Sequence, residues 1–105
     1  MNYHLIVYVP LSDAENVRDA LANAGAGRIG AYDTCSFSTR GIGRFRPLKG
    51  SRPFIGKAGA IEEVEEERIE VIIPETVDLQ SVLAAVRSAH PYEEPAIHVL
   101  PMATQ

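Results

Sequence analysis

Apolar and polar positions alternate from Tyr3 to Val9. Tyr3, Leu5, Val7 and Val9 fall on one face of an extended strand, and His4, Ile6 and Tyr8 on the other. Both sets are mainly apolar, so the pattern predicts a strand covered on both sides. The period then lengthens. Ala14, Val17, Leu21 and Ala24 recur at helical spacing, Ser12 and Glu15 stand as a capping box, and Gly25 and Gly27 supply a stop. A helix over Asp13–Asn23 is predicted.

Tyr32 to Thr39 alternates again, with β-prone content, and reads as a second strand. All eight glycines lie between Gly25 and Gly59, so the middle of the chain holds turns, a long hairpin or an excursion rather than a helix. Ala60 to Ile73 returns to strand character. The charged run Glu65-Glu66-Glu67 interrupts its alternation and predicts a bulge or two separate pieces. Leu79, Val82, Leu83 and Val86 mark a second helix that starts near Asp78. It stops at His90, which Pro91 pushes out of the helical region. Ala96 to Leu100 is a short last strand.

The order β-α-β-(excursion)-β-α-β is that of an α+β fold, the ferredoxin-like split βαβ sandwich. A chain of 105 residues encloses one core and not two, so a single domain over residues 1–105 is expected. In such a sandwich both helices cover one sheet face. Ile6, Tyr8 and Ile72 then predict an apolar patch on the other, most simply covered by a partner subunit.

Composition narrows the class. An apolar fraction of 46% with 23% charged residues excludes a disordered chain. No apolar run approaches the roughly 20 residues that cross a bilayer. The start shows no basic n-region, and the single cysteine, Cys35, has no internal disulfide partner, so a reducing, cytoplasmic setting is expected. The net charge of −4 hides a division. Between Arg40 and Lys57 six basic residues stand with no acid, whereas the rest of the chain sets four basic residues against fourteen acids. An acidic total argues against nucleic acid as a general partner, but the local +6 needs its own account.

Glycines that expose backbone N–H groups, together with bidentate arginines, suit phosphate or carboxylate ligands. Arg40, Arg44, Arg46, Lys49 and Arg52 are therefore candidate anion-binding residues, although the segment lacks P-loop and dinucleotide spacings. The competing reading is a solvated hairpin whose arginines meet Glu62 to Glu67 on a neighbouring strand or subunit. Phe45 and Phe54 serve either reading, by stacking on a base or by anchoring the loop.

A second candidate is the turn Ala89-His-Pro-Tyr-Glu-Glu-Pro-Ala96. His90, Glu93 and Glu94 are ligand types for a divalent metal, with Cys35, His4 and His98 as further donors. The alternative is a stiff turn in which Glu93 or Glu94 accepts backbone and tyrosine hydrogen bonds. Cys35 as a nucleophile would need an adjacent base, and nothing in the spacing supplies one, so it reads as a packed strand cysteine. No Ser-His-Asp arrangement or H-E-x-x-H is present, and the residues point to binding rather than catalysis.

Five stretches together resemble a known family: Ala24-Gly-Ala-Gly-Arg-Ile-Gly30, Tyr32-x-x-Cys-Ser-Phe37, Gly43-x-Phe-Arg-Pro47, Pro53-Phe-Ile-Gly56 and His90-Pro-Tyr-Glu-Glu-Pro-Ala96. It is the YqfO-type domain, the CutA/PII-like insert of bacterial Nif-three-like proteins, which also occurs as free-standing short proteins. The resemblance implies a ferredoxin-like fold, a homo-oligomer and a sensory or regulatory role, with a protein partner engaged through the basic loop. The CutA analogy favours a trimer over a dimer and implies divalent metal, and no other cofactor, as the alternative ligand of the His-Pro-Tyr-Glu turn. It carries over no activity, because the di-metal site of Nif-three-like proteins belongs to their flanking domains.

Overall fold

The computed structural model describes residues 1–104. Strand β1 (Asn2–Pro10) passes through a single 3-10 turn, Leu11–Asp13, into helix α1 (Ala14–Asn23). Strands β2 (Phe37–Phe45) and β3 (Glu62–Ile73) form a long hairpin, followed by helix α2 (Leu79–Ala89) and strand β4 (Ile97–Met102). The sheet order is β2-β3-β1-β4 with every neighbouring pair antiparallel. This is the ferredoxin-like arrangement that the element order predicts.

One face of the sheet is dry. Leu5, Val7 and Val9 from β1 and Ile69, Val71 and Ile73 from β3 pack against Val17 and Leu21 of α1 and Val82 and Val86 of α2. Burying each of these aliphatic side chains contributes about 1.5–3 kcal/mol relative to leaving it in water. Both helices therefore lie on the face that the alternation in β1 selects.

Local signals fix the helix ends. Gly25, at φ +98°, lets Gly25 N–H reach the Ala22 carbonyl and Ala26 N–H the Leu21 carbonyl, each at 3.0 Å, and so closes α1 in a Schellman turn. The Asp78 carboxylate caps α2 by accepting from the Ser81 amide at 3.0 Å, and the Ser81 hydroxyl first, then this bond, hold its pKa down. The predicted Ser12–Glu15 capping box does not form. Asp13 is the N-cap without a side-chain bond, Ser12 bonds Asp13, and Glu15 turns to Arg18.

Two strand expectations are corrected. The second strand runs from Phe37 to Phe45, not Tyr32 to Thr39, so Arg40 and Arg44 are strand residues and Cys35 sits in the preceding loop. The third strand is continuous through Glu65, Glu66 and Glu67. It survives the charge run because Glu67 takes an ion pair from Arg18 and Glu66 takes a hydrogen bond from Tyr92, leaving both carboxylates buried and partnered.

The register also shapes the outline. Pairing of β1 with β3 ends at Pro10 opposite Glu66, whereas β2 stays paired with β3 down to Phe45 opposite Glu62. The last residues of the hairpin thus form a two-stranded ribbon that runs past the sheet, and the chain is 46 Å long but only 24 × 23 Å across.

Candidate binding cavity and relatives

The open face of the sheet is polar and aromatic, not broadly apolar. His4 bonds Glu70 at 2.9 Å, Tyr8 meets His98 edge-on at 5.8 Å, and the Arg68 guanidinium lies 5.9 Å from the Tyr8 ring centre. These neighbours leave Ile6 only 6% exposed, so the expected patch of Ile6, Tyr8 and Ile72 is largely covered from within the chain. Phe37 and Leu100 are the exposed large apolar residues of this face.

At the ribbon end, the two segments singled out in the sequence come together. The excursion Arg46 to Ile61 folds back against the His90-Pro-Tyr-Glu-Glu turn, and between them lies a cavity of about 420 Å³. Tyr92 is its hub. Phe45 packs edge-on to the Tyr92 ring at 5.8 Å, Phe54 lies tilted at 6.4 Å and His90 at 5.1 Å. Pro47, Pro53 and Ile55 complete an apolar wall, Arg44 and Arg46 are also among the lining residues, and Glu93 and Glu94 line the side of the turn. A second hollow of about 380 Å³ continues along the open face, shares Tyr8, Arg44, Glu66 and Ala96 with the first, and adds Arg40 and Arg68.

The turn is held by its own bonds. His90 Nδ1 accepts from the Tyr92 amide at 3.1 Å, so Nε2 carries the proton and donates it to the Tyr8 carbonyl at 2.6 Å. The Tyr92 hydroxyl donates to Glu66 Oε2 at 3.1 Å, and the Arg52 amide donates to Glu93 Oε2 at 3.0 Å. Glu66 reaches this position because Gly43, two residues along β2 from the directly paired Gly41, has no side chain; a Cβ there would run into the carboxylate. Burial, followed by the adjacent Glu66 charge, pushes the Tyr92 hydroxyl pKa well above the usual tyrosine value.

The predicted anion-binding residues separate accordingly. Arg44 and Arg46 line the cavity, and Arg40 lines the neighbouring hollow. Arg52 contributes its backbone, and Lys49 sits on an exposed turn. Arg44 also lies 3.6 Å from Glu63 on the paired strand, the arginine–acid contact of the competing reading. The predicted metal donors do not assemble. Both ring nitrogens of His90 are engaged by backbone, and no group of three metal-ligating side chains occurs among the described residues. Cys35 bonds Gly27, whose amide bonds Ile72, at the end of β1 marked by His4. His90 bonds Tyr8, four residues or about 13 Å further along that strand.

Tyr8, Glu66 and Tyr92 escaped the sequence reading as site residues. Tyr92 lay inside a segment already singled out, but nothing local joins it to Glu66, 26 residues away.

No protein-family model matches the chain. A GTP cyclohydrolase 1 type 2 homolog of Halalkalibacterium halodurans is 48% identical over 103 residues, 98% of this chain and 27% of that protein. Its Bacillus subtilis counterpart is 50% identical over 98 residues, 93% of this chain and 26% of that protein. The crystal structure of a Bacillus cereus protein related to NIF3 superposes with a TM-score of 0.84 at 45% identity, over 98% of this chain and 26% of that one. The chain is similar to one segment, the YqfO-type segment, of these Nif-three-like proteins. It spans about a quarter of the length of the curated relatives that it matches.

The chain shares its fold with more distant proteins. The CutA divalent cation tolerance protein of Archaeoglobus fulgidus aligns over 100% of this chain and 87% of its own, with a TM-score of 0.68 and 19% identity. Bacillus subtilis GlnK in its ATP complex aligns over 97% and 84%, with a TM-score of 0.64 and 11% identity. The fold is thus CutA- and PII-like. No helix among the described residues is long and apolar enough to cross a membrane.

Proposed function

We propose that this Nif-three-like chain is a non-catalytic, homo-oligomeric regulatory module whose aromatic cavity takes an anionic small molecule carrying a planar ring. The observation that carries the reading is the convergence of Phe45, Phe54 and Tyr92 with Arg44 and Arg46 on one cavity. Aromatic walls suit a ring, and arginines among the lining residues suit phosphate or carboxylate. Nucleotides combine the two features, and one fold neighbour is described with ATP and the curated relatives with GTP in their name.

Binding rather than catalysis is supported by the ionisable groups at hand. A general acid or base works best with a pKa near the operating pH, whereas the Tyr92 hydroxyl is pushed away from it. His90 has both ring nitrogens committed to backbone. Self-association through the open face is supported by Phe37 and Leu100, which stay exposed beside a polar-aromatic strip. The lone Cys35 supports a reducing, cytoplasmic setting.

Isothermal titration calorimetry with ATP and with GTP tests the reading. Saturable binding is expected, and Arg44→Glu with Arg46→Glu weakens it at least about tenfold, the worth of one lost charge-assisted hydrogen bond. Unchanged affinity in that double variant, or no heat with either nucleotide at millimolar concentration, overturns it.

A further inference from the structure

Gly41 lies inside β2, yet nothing in the chain requires a glycine there. Its φ is not positive, and a Cβ on it would meet nothing within 4 Å. Gly43 differs, because the Glu66 carboxylate fills the space of its missing side chain. Glycine weakens a strand interior, and where neither a turn nor packing asks for it, it marks a place that a ligand or another backbone approaches closely.

Register places Gly41 in the floor of the second hollow. It pairs with Glu66, Thr39 pairs with Arg68, and Arg68 pairs with Tyr8 on β1, so these residues share the open face. The hollow runs into the cavity of Phe45, Phe54 and Tyr92, and Tyr8, Arg44, Glu66 and Ala96 line both. One elongated molecule can therefore occupy the two. The charges favour an anion in the extension. Arg40, Arg44 and Arg68 line it against one carboxylate, Glu66, whose Oε2 already accepts from Tyr92. Arg68 is only loosely held. Its side chain is 45% exposed, its contact to Glu70 is 3.6 Å long, and the other Glu70 oxygen is taken by His4. It stands two residues beyond Glu66 on β3, about 7 Å along the strand, with its guanidinium 5.9 Å from the Tyr8 ring centre.

We infer, resting on the nucleotide reading proposed above, that this hollow is a tail subsite for the same ligand. The base lies in the aromatic cavity, and a chain of two or three phosphates runs over Gly41 to Arg68. Gly41 supplies the room and Arg68 the charge-assisted hydrogen bonds to the terminal phosphate. The ligand class narrows accordingly to a nucleoside polyphosphate, with the monophosphate held only at the cavity end.

Calorimetry with AMP and ATP, and with GMP and GTP, tests the subsite through the ratio of the two dissociation constants in each pair. In the unmodified chain the triphosphate is expected to bind at least about tenfold more tightly than its monophosphate. Gly41→Val fills the floor without changing any charge, and Arg68→Ala removes an exposed cation. Each is expected to lower that ratio at least about threefold, with monophosphate heat showing that the fold and the ring cavity persist. A ratio near one in the unmodified chain overturns the tail subsite and leaves the aromatic cavity standing. So does a ratio that survives either substitution, because charge alone would then explain the preference. No heat with any of the four nucleotides overturns the cavity reading and the subsite together.

Discussion

The imidazole of His90 and the backbone carbonyl of Tyr8 lie 2.6 Å apart, joined by donation from Nε2 between residues 82 positions apart in the chain. Through this bond the central strand positions the whole His-Pro-Tyr-Glu-Glu turn, and with it one wall of the cavity. A histidine that looks like a metal donor in the sequence is here a buried structural group, 6% exposed.

His90→Ala removes that bond and the acceptor for the Tyr92 amide. The variant is expected to lose about 1–3 kcal/mol of stability for the buried group left unpaired, read from its urea midpoint. Zinc uptake measured by calorimetry should be the same before and after the change. A loss of uptake would restore the metal reading.

Gly43→Ala places a methyl group where the Glu66 carboxylate lies. The carboxylate must shift, and its bond from Tyr92 goes with it. Overpacking of this kind costs about 1–3 kcal/mol. Gly41→Ala, whose Cβ meets nothing within 4 Å, is the matched control and should cost less. Equal urea midpoints for the two variants would remove the close approach of β2 to Glu66 from the account.

The Tyr92 hydroxyl gives a pH dependence of definite sign. Its pKa is raised in the folded state, by burial first and by Glu66 second, so the unfolded chain releases this proton before the folded chain does. The stabilisation is complete below the ordinary tyrosine value of about 10 and is lost as pH rises beyond it. Tyr92→Phe should therefore flatten the fall in urea midpoint above about pH 10. An identical slope in the variant would contradict the raised value.

Much of the fold is legible from one sequence because its signals are local. Leu5, Val7 and Val9 declare the buried face of β1, and Leu79, Val82, Leu83 and Val86 declare α2, with Asp78 and His90-Pro91 as its ends. The sequence misplaces β2 because Arg40 to Phe45 alternates glycine and charge with little apolar content. Pairing with β3 makes it a strand, Arg40 opposite Glu67 and Arg44 opposite Glu63, a partner invisible to local pattern. Glu65 to Glu67 looks like an interruption for the same reason, since the groups that satisfy Glu66 and Glu67 lie 26 and 49 residues away. The cavity is legible only in halves. The excursion and the turn each stand out, but their meeting depends on the register that carries the ribbon past Pro10.

Phe45, Phe54 and Tyr92 wall the proposed nucleotide site, which Arg44 and Arg46 also line. The most direct test follows the aromatic side-chain resonances of the labelled protein by NMR as ATP or GTP is added. The account predicts saturable shifts of Phe45, Phe54 and Tyr92, with Tyr3 unmoved at the far end of β1, and loss of those shifts in the Arg44→Glu, Arg46→Glu variant. Shifts that map elsewhere, or the three rings left unmoved by millimolar nucleotide, would contradict it.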